Sequence, residues 1–297
     1  MDPVFLGQLL LNGIVIGLIY GLIATGLTLQ FGILHIVNFA HGEVLMVAMY
    51  AMAALLPLFG GDFFVAFAVL VVLASAVSLL AARGLLAALA TGGDGGGIFE
   101  KSLLLTLGVS IVLVNGVQQL FTSNPQMATT SFGYGAFALG EIRLTYAHAL
   151  ASVVAVVTFG ALFWFLLRTN AGRALRAVAQ NREAALMIGL DPTRVARRAV
   201  AVSLVLSAVA GAVLVPIIVF QPTVGQTLLL KAFAVVVIGG MGNIGGAVAV
   251  ALGLGVLESL VGGFADIVWQ NAVAFVAMIA VLAMRPQGLF AAAIRKG

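Results

Sequence analysis

The sequence predicts an all-α, polytopic membrane protein, and three observations support this fold class. Hydrophobic residues make up 63% of the 297 residues, and the mean hydropathy is +1.21. Charged residues make up only 8%, against roughly 25% in soluble domains. Apolar stretches long enough to cross a bilayer recur along the chain. Most helix faces must therefore meet lipid or another helix.

About eight transmembrane helices are expected, because a helix needs about 20 mainly apolar residues to cross the hydrocarbon core. The candidate stretches are 4–31, 43–60, 63–82, 102–121, 147–167, 199–220, 228–245, 246–262 and 266–284. The stretch 228–245 is too short to span, because its apolar part ends at residue 238 in a glycine-rich run. We expect the whole chain, 1–297, to form a single transmembrane domain.

Two stripes of small residues predict a close contact between helices. Small side chains four residues apart let helix backbones approach in lipid, where packing replaces the hydrophobic drive. The stripes are Gly13, Gly17 and Gly21 in the first span and Ala247, Ala251, Gly255 and Ser259 near the end of the chain.

The helical pattern is broken at membrane depth in two places, near 31–43 and within 228–246. Irregular backbone inside a membrane is tolerated only where protein or a water-filled cavity satisfies its polar groups. Both breaks are therefore candidates for lining a pathway. The candidate pathway residues are Asn38, His41, Gly42, Glu43, Gly239, Gly240, Gly242 and Asn243.

His35, His41 and Glu43 cluster in the first break, but their spacing fits no standard zinc site, so no metal centre is predicted. We expect Asn38 and His41 to pair with backbone groups that the break leaves free. Five further polar side chains fall in the outer half of the predicted spans, where they could line an entry vestibule or join helices by hydrogen bonds. These are Asn12, Asn115, Gln118, Glu258 and Asn271.

The positive charge of the chain is concentrated in the loop 168–198, which holds seven arginines against Glu183 and Asp191. Short loops rich in Lys and Arg stay in the cytoplasm. Placing this loop inside puts twelve basic residues on the cytoplasmic side and leaves Arg143 and Lys231 outside. The N-terminus is then extracytoplasmic and the C-terminus cytoplasmic. The cytoplasmic cations beyond the loop are Arg83, Lys101, Arg285, Arg295 and Lys296.

An amphipathic helix is expected in this loop, running from a cap at Asn170 to Met187, with Gly189 ending it and Asp191-Pro192 opening the next helix. Such a helix either lies among lipid headgroups or docks on a protein. Its polar face carries Arg173, Arg176, Gln180 and Glu183, and the opposite face carries Leu175, Val178 and Leu186.

Four segments resemble known transport proteins. Residues 183–189, Glu-Ala-Ala-Leu-Met-Ile-Gly, are similar to the cytoplasmic loop that importer permeases of the ATP-binding cassette (ABC) class insert into a cleft on their ATPase subunits. Residues 32–43, 239–247 and 285–290 resemble, in the same order, segments of the LivH-type permeases of branched-chain amino acid importers. The loop departs from many other importers because it lacks the downstream Leu-Pro.

The resemblance implies a multi-pass permease subunit in the bacterial cytoplasmic membrane that is not itself an enzyme and forms half of a translocation pore. It implies a homologous second, LivM-like permease, two cytoplasmic ATPases and an extracytoplasmic solute-binding protein as partners. No cofactor is expected on this chain, because the sequence has no phosphate-binding loop and ATP would bind the partner subunits. The residues expected to couple to the ATPases are Arg173, Arg176, Glu183, Ala184, Ala185 and Gly189.

Several other classes are excluded or left open. With no cysteine, the chain has no thiol catalysis, disulfide or iron–sulfur site. The composition also argues against a nucleic-acid partner, and the buried polar residues offer no nucleophile–base pair for an intramembrane enzyme. Two alternatives remain: an ion-coupled secondary transporter that binds its substrate at the broken helices, and an ABC permease for urea or short amides.

Overall fold

The computed structural model describes residues 3–91, 97–121, 123–132, 135–265 and 267–290. These ranges form eleven helices and one two-stranded hairpin. Seven of the helices within these ranges are long and apolar enough to cross a membrane, and α9 and α11 are shorter apolar helices. The elements are α1 (Pro3–Leu34), α2 (His41–Leu58), α3 (Phe63–Thr91), α4 (Ile98–Leu120), β1 (Ala136–Leu139), β2 (Ile142–Thr145), α5 (Tyr146–Arg168), α6 (Asn170–Gln180), α7 (Arg182–Met187), α8 (Pro192–Leu214), α9 (Val224–Gly239), α10 (Ile244–Phe264) and α11 (Ile267–Met284).

The bundle has two distinct ends. At the hairpin end, where α1 and α5 begin and α10 finishes, the Gln8 side chain accepts a hydrogen bond from Arg143 N at 2.9 Å and Phe5 packs edge-on against Phe264. At the basic end lie the arginine-rich helices α6 and α7 and the breaks after α1 and α9. Both of these breaks therefore share one end of the bundle with most of the positive charge.

Helices α1 and α10 pack antiparallel through the two predicted stripes of small residues, which confirms that prediction. A Cβ placed on Gly255 would lie 2.4 Å from Gly17 N, and one on Gly13 would lie 2.6 Å from Val256 Cα. Ser259 Oγ donates to Leu9 O across the same contact at 2.7 Å. Helices α1 and α8 are largely buried, whereas α3, α4 and α5 leave most of their surface for lipid or other subunits.

Several boundaries differ from the sequence prediction. The helix predicted to open at Asp191-Pro192 and the span predicted from 199 form one continuous helix, α8, which begins at Pro192. It ends at Leu214 rather than 220, just before Pro216, and residues 215–223 are not helical. Helix α3 continues to Thr91 instead of 82, and α10 runs from Ile244 to Phe264 instead of covering 246–262.

The β1–β2 hairpin at the hairpin end is an addition to the expected all-α fold. It pairs Ala136 with Thr145 and Leu139 with Ile142, and Phe137 packs on Tyr146 with ring centroids 4.7 Å apart. Arg295 and Lys296, both assigned to the cytoplasm from the sequence, lie outside the described residues.

Replacing Gly255 with valine should destabilise the bundle by about 3 kcal/mol, because the added carbons overlap the backbone of α1 and a packed interface cannot absorb them. The matched control is Gly253→Val, two residues away in α10, where a Cβ meets no atom within 4 Å. Thermal denaturation in detergent measures both variants. Equal midpoints for the two would contradict the close packing of α1 and α10.

Candidate functional site

The first break descends into the bundle. Residues 35–40 are not helical, and His35 adopts a left-handed backbone with φ of 55°. Helix α2 then starts at His41, whose Nε2 lies 3.2 Å from Ile23 O. Ile23 precedes the end of α1 by eleven residues, or about 16 Å of helix. The break therefore turns back from the end of α1 and returns the chain to the bundle interior.

Side chains bind several backbone groups in and next to the first break. The Asn38 Oδ1 accepts from Ala40 N at 3.0 Å, and Ser207 Oγ in α8 donates to His41 O at 2.8 Å. Thr106 Oγ in α4 accepts from Phe39 N at 3.2 Å. Asn38 thus meets a backbone group at the break, as predicted, whereas the His41 side chain contacts Ile23 O, which lies within α1 and not at the break. Among the described residues, no three His, Asp or Glu side chains form a group that could hold a metal ion.

The first turns of α2 and α9 meet inside the bundle. A Cβ on Gly42 would lie 2.3 Å from Gly225 O, so only glycine permits this contact. The Glu43 carboxylate is 2% exposed beside it, and its Oε1 accepts from Ser110 Oγ at 3.2 Å. Its Oε2 has no hydrogen-bond partner within the described part of the chain and faces Gly225. The positive ends of two helix dipoles favour a carboxylate at this point.

The second break is shorter than the sequence suggests, covering residues 240–243 only. Helix α9 continues through Gly239, and α10 begins at Ile244 because Asn243 Oδ1 accepts from Gly246 N at 3.0 Å. Gly240 and Gly242 both have φ of 91°, which favours glycine. A Cβ on Gly32 would lie 3.2 Å from Gly242 Cα, so the two breaks approach each other at the basic end.

A strap formed by residues 285–290 closes the second break. Leu289 N donates to Ile238 O at 2.7 Å, and Asn243 Nδ2 donates to Phe290 O at 2.6 Å. Gly288 has φ of 89°, and a Cβ there would lie 2.7 Å from Gly240 Cα. Residues 239–247 and 285–290, two of the four segments that resemble known transport proteins, thus pack against each other.

The arginine-rich loop folds as two helices rather than the single helix predicted from Asn170 to Met187. Thr169, not Asn170, caps α6, since its side chain accepts from Gly172 N at 3.0 Å. Asn181 interrupts the helix because its Oδ1 accepts from Ala184 N at 2.9 Å and caps α7. Asp191 caps α8 as predicted, and Gly189 has the left-handed φ of 82° expected of a helix C-terminus.

Of the two arginines predicted to contact a partner, Arg176 bonds to α5 and Arg173 bonds within its own helix. Arg176 Nη1 donates to Leu166 O near the end of α5, and Arg173 donates to the Asn170 side chain. A Cβ on Gly172 would lie 2.2 Å from Phe165 O, which keeps α6 tight against α5. Helix α6 is therefore packed tightly against the end of α5.

The end of α7 forms an exposed apolar tip, defined here as Leu186, Met187 and Ile188. Met187 is 89% exposed and Ile188 74%. Leu186, predicted on the same apolar face as Leu175 and Val178, is exposed whereas they are buried, because the interruption at Asn181 rotates α7. Ala185, predicted to couple to the ATPases, is buried instead. Glu183, Ala184 and Gly189 are exposed beside the tip. Three adjacent apolar side chains in this position favour contact with another surface.

A buried charge cluster joins α1, α9 and α10. Lys231 Nζ lies 2.9 Å from Glu258 Oε2 and donates to Tyr20 OH at 2.9 Å, and Tyr20 OH donates to Glu258 Oε2 at 2.8 Å. Lys231 is 7% exposed and Glu258 0%. Assigning Lys231 to the outside was wrong, because it lies within the bundle on α9. A lysine inside an otherwise apolar helix was the sequence signal for this cluster.

The five predicted vestibule residues are not gathered into one wall. Asn12 accepts from Gln8 in its own helix at 3.0 Å, and Asn115 donates to Ile111 O in its own helix at 2.7 Å. Gln118 lies half-buried on α4, Asn271 is exposed on α11, and Glu258 is in the ion pair. Helix α4 packs on α2 and α3, whereas α11 packs on α9 and α10.

Comparison with known proteins gives one family. Residues 9–282 match the family described as "Branched-chain amino acid transport system / permease component". The high-affinity branched-chain amino acid transport system permease protein BraD of Pseudomonas aeruginosa is 31% identical over 295 residues, covering 95% of this chain and 94% of that protein. LivH, the corresponding permease protein of Salmonella typhimurium, is 30% identical with the same coverage.

Two more distant similarities concern part of the sequence or the fold. The ribose import permease protein RbsC of Bacillus subtilis is 36% identical over 119 residues, which cover 39% of this chain and 36% of that protein. The solved structure of PsaBC from Streptococcus pneumoniae in complex with Fab superposes with a TM-score of 0.52 and 15% identity, covering 95% of this chain and 92% of that one. This last similarity shows the fold alone.

Replacing Gly288 with alanine should release the strap, because the left-handed backbone disfavours a Cβ and the added carbon overlaps Gly240. Hydrogen–deuterium exchange of residues 285–290 should then become faster. The control is Gly140→Ala. Gly140 also has a left-handed φ, of 69°, but a Cβ there meets no atom within 4 Å, so this variant strains the backbone without creating an overlap. Unchanged exchange in the Gly288→Ala variant would show that the strap does not depend on this contact.

Proposed function

This chain belongs to the family of permease components of branched-chain amino acid transport systems, and on that premise we propose that it forms half of the translocation pathway of an ATP-driven importer for branched-chain or similar hydrophobic amino acids. It is a multi-pass protein of the inner membrane. The family match over residues 9–282 is the observation that carries the proposal. The exposed tip at the basic end supports it, because such a surface suits a partner protein.

The other parts of the importer reside on other chains. A homologous, LivM-like permease completes the pathway, two cytoplasmic ATPases supply the energy, and an extracytoplasmic solute-binding protein delivers the substrate. This chain itself needs no cofactor, since ATP binds the ATPases. The absence of a phosphate-binding loop from the sequence supports this division of labour.

The basic end faces the cytoplasm, so the N-terminus is extracytoplasmic and the C-terminus cytoplasmic. The preference of Lys and Arg for cytoplasmic loops supports this orientation. It is strengthened by the burial of Lys231, which leaves Arg143 as the basic residue assigned to the outside.

The loop 168–198 acts as a lever between the ATPases and the pathway. The tip and Glu183 meet the ATPase, and closure of the ATPase pair pushes on α7 and α6. Because Arg176 binds Leu166 O and Gly172 touches Phe165 O, α5 follows α6. The two breaks adjoin this end of the bundle, so their rearrangement opens and closes the pathway.

Apart from Glu43 and the Lys231–Glu258 pair, whose charges offset each other, buried charge is scarce in the described residues, and this suits a zwitterionic, apolar substrate. Conduction requires sites that bind weakly enough to release, and the solute-binding protein supplies selectivity instead. The ion-coupled alternative is not favoured, because the family consists of permease components of multi-protein transport systems.

Reconstitution of the complete transporter in liposomes tests the proposed function. With the solute-binding protein and leucine outside and ATP inside, radiolabelled leucine should accumulate, and ionophores that collapse proton and sodium gradients should have no effect. Uptake that persists without ATP and stops with an ionophore would favour the secondary transporter. Parallel assays with urea and ribose identify the substrate if leucine is not taken up.

Two substitutions in the lever should separate ATP hydrolysis from transport. Glu183→Ala removes the charge beside the tip, and Gly189→Val strains a left-handed position with φ of 82°. Leucine uptake should fall about tenfold, as expected for loss of a coupling free energy, while the complex assembles and still hydrolyses ATP. Arg194→Ala, in the same loop with a side chain 78% exposed, is the control and should transport normally. Normal transport by both lever variants would show that the assignment is wrong.

The orientation can be measured with single cysteines, because the chain has none of its own. In intact spheroplasts an impermeant maleimide should label the Ala138→Cys variant on the hairpin. The Met187→Cys variant at the tip should be labelled only after permeabilisation. The reverse pattern would place the lever outside and remove the basis for ATPase coupling.

A further inference from the structure

The Lys231–Glu258 pair is more costly than a structural contact between helices requires. Ionised groups withdrawn from water lose hydration that their mutual attraction only partly returns, and apolar replacements of such pairs are often neutral or stabilising. The glycine contacts of α1 with α10 already hold this region together. Among the described residues two ion pairs occur, and the other one, Arg194–Asp191, is on the surface.

Each member of the buried pair retains unused hydrogen-bonding capacity. An ammonium group has three N–H donors, and Lys231 uses two, toward Tyr20 OH and Glu258 Oε2. Glu258 Oε2 accepts from both neighbours, whereas its Oε1 is buried and has no partner in the described part of the chain. A free donor on a cation thus stands beside a free acceptor on an anion.

We propose that Lys231 and Glu258 bind the two charged ends of the transported amino acid. The α-carboxylate accepts a hydrogen bond from Lys231 Nζ, and the α-ammonium donates to Glu258 Oε1. An amino acid carries its opposite charges a few ångströms apart, as does this pair, so the two can lie head to tail. The combined charge stays zero, which keeps binding weak enough for release.

The pair joins Lys231 on α9 to Glu258 on α10, and a movement of α9 would give the substrate a way to reach it. The pair is closed in this conformation, with side chains 9% and 0% exposed. Helix α9 has only 16 residues, and irregular segments flank it at 215–223 and 240–243. Segments of this kind absorb the backbone changes of a hinged element. Moving α9 away from α10 opens the pair, and the strap and Gly242 link α9 to the basic end where the lever lies.

The inference rests on the proposed function, and uptake by the wild-type transporter in liposomes tests that function separately. Two double variants then test the pair: a neutral one, Lys231→Met with Glu258→Gln, and a reversed one, Lys231→Glu with Glu258→Lys. Ser259→Ala is the control, since it removes an adjacent α1–α10 hydrogen bond without touching the charges. Assembly with the ATPases, ATP hydrolysis and leucine uptake per assembled complex are measured for each.

The neutral variant should assemble and hydrolyse ATP but take up leucine at least about tenfold more slowly, as expected for losing charge-assisted hydrogen bonds. The reversed variant should recover most of the uptake, because it still offers both charges. Normal uptake by the neutral variant overturns the inference, and so does its failure to assemble, because either result makes the pair structural or dispensable. Equal loss in both assembled variants also overturns it.

Discussion

Every polar backbone group inside the membrane must find a partner within the protein, and the architecture of this chain follows from that constraint. Where α1 and α9 end, the freed groups are met by side chains and by a distant segment of the chain. Thr106 serves the first break and Leu289 the second. The breaks are consequently ordered parts of the bundle. Irregular backbone at both breaks is thus held by hydrogen bonds from other parts of the protein.

Glycine contacts set the distances on which the charged groups depend. The approach of α1 to α10 brings Tyr20 against Glu258, and the crossing at Gly42 and Gly225 brings the first turns of α2 and α9 together. Close backbone packing thus positions both Glu43 and the Lys231–Glu258 pair. Similar glycine contacts occur at the basic end, where Gly172 lets α6 pack closely on α5 and Gly288 lets the strap pack closely on the end of α9. Tight glycine contacts therefore occur both in the interior and at the basic end of the bundle.

Much of this organisation could be predicted from sequence. Hydropathy gives most of the spans, four-residue spacing gives the α1–α10 contact, and irregular composition locates both breaks. Helix boundaries were predicted wrongly where a single side chain determines them. Asn181 is an example, because its cap divides the helix predicted from Asn170 to Met187. Lys231 was assigned to the outside because counting basic residues loop by loop treats every Lys and Arg as exposed. Its partner Glu258 is 27 residues away along the chain, a distance at which the sequence shows no pairing. Contacts between distant segments, such as the strap on Gly240, leave no periodic pattern to detect.

Electron cryomicroscopy of the assembled transporter, with the second permease and both ATPases, measures most directly whether the breaks and the lever form one mechanical unit. We expect Leu186, Met187 and Ile188 to be buried in a cleft of the nearest ATPase. We also expect the first turns of α2 and α9 to lie beside the passage between the two permeases. A tip in contact with lipid alone, or α2 and α9 turned toward lipid and away from that passage, would contradict this mechanism.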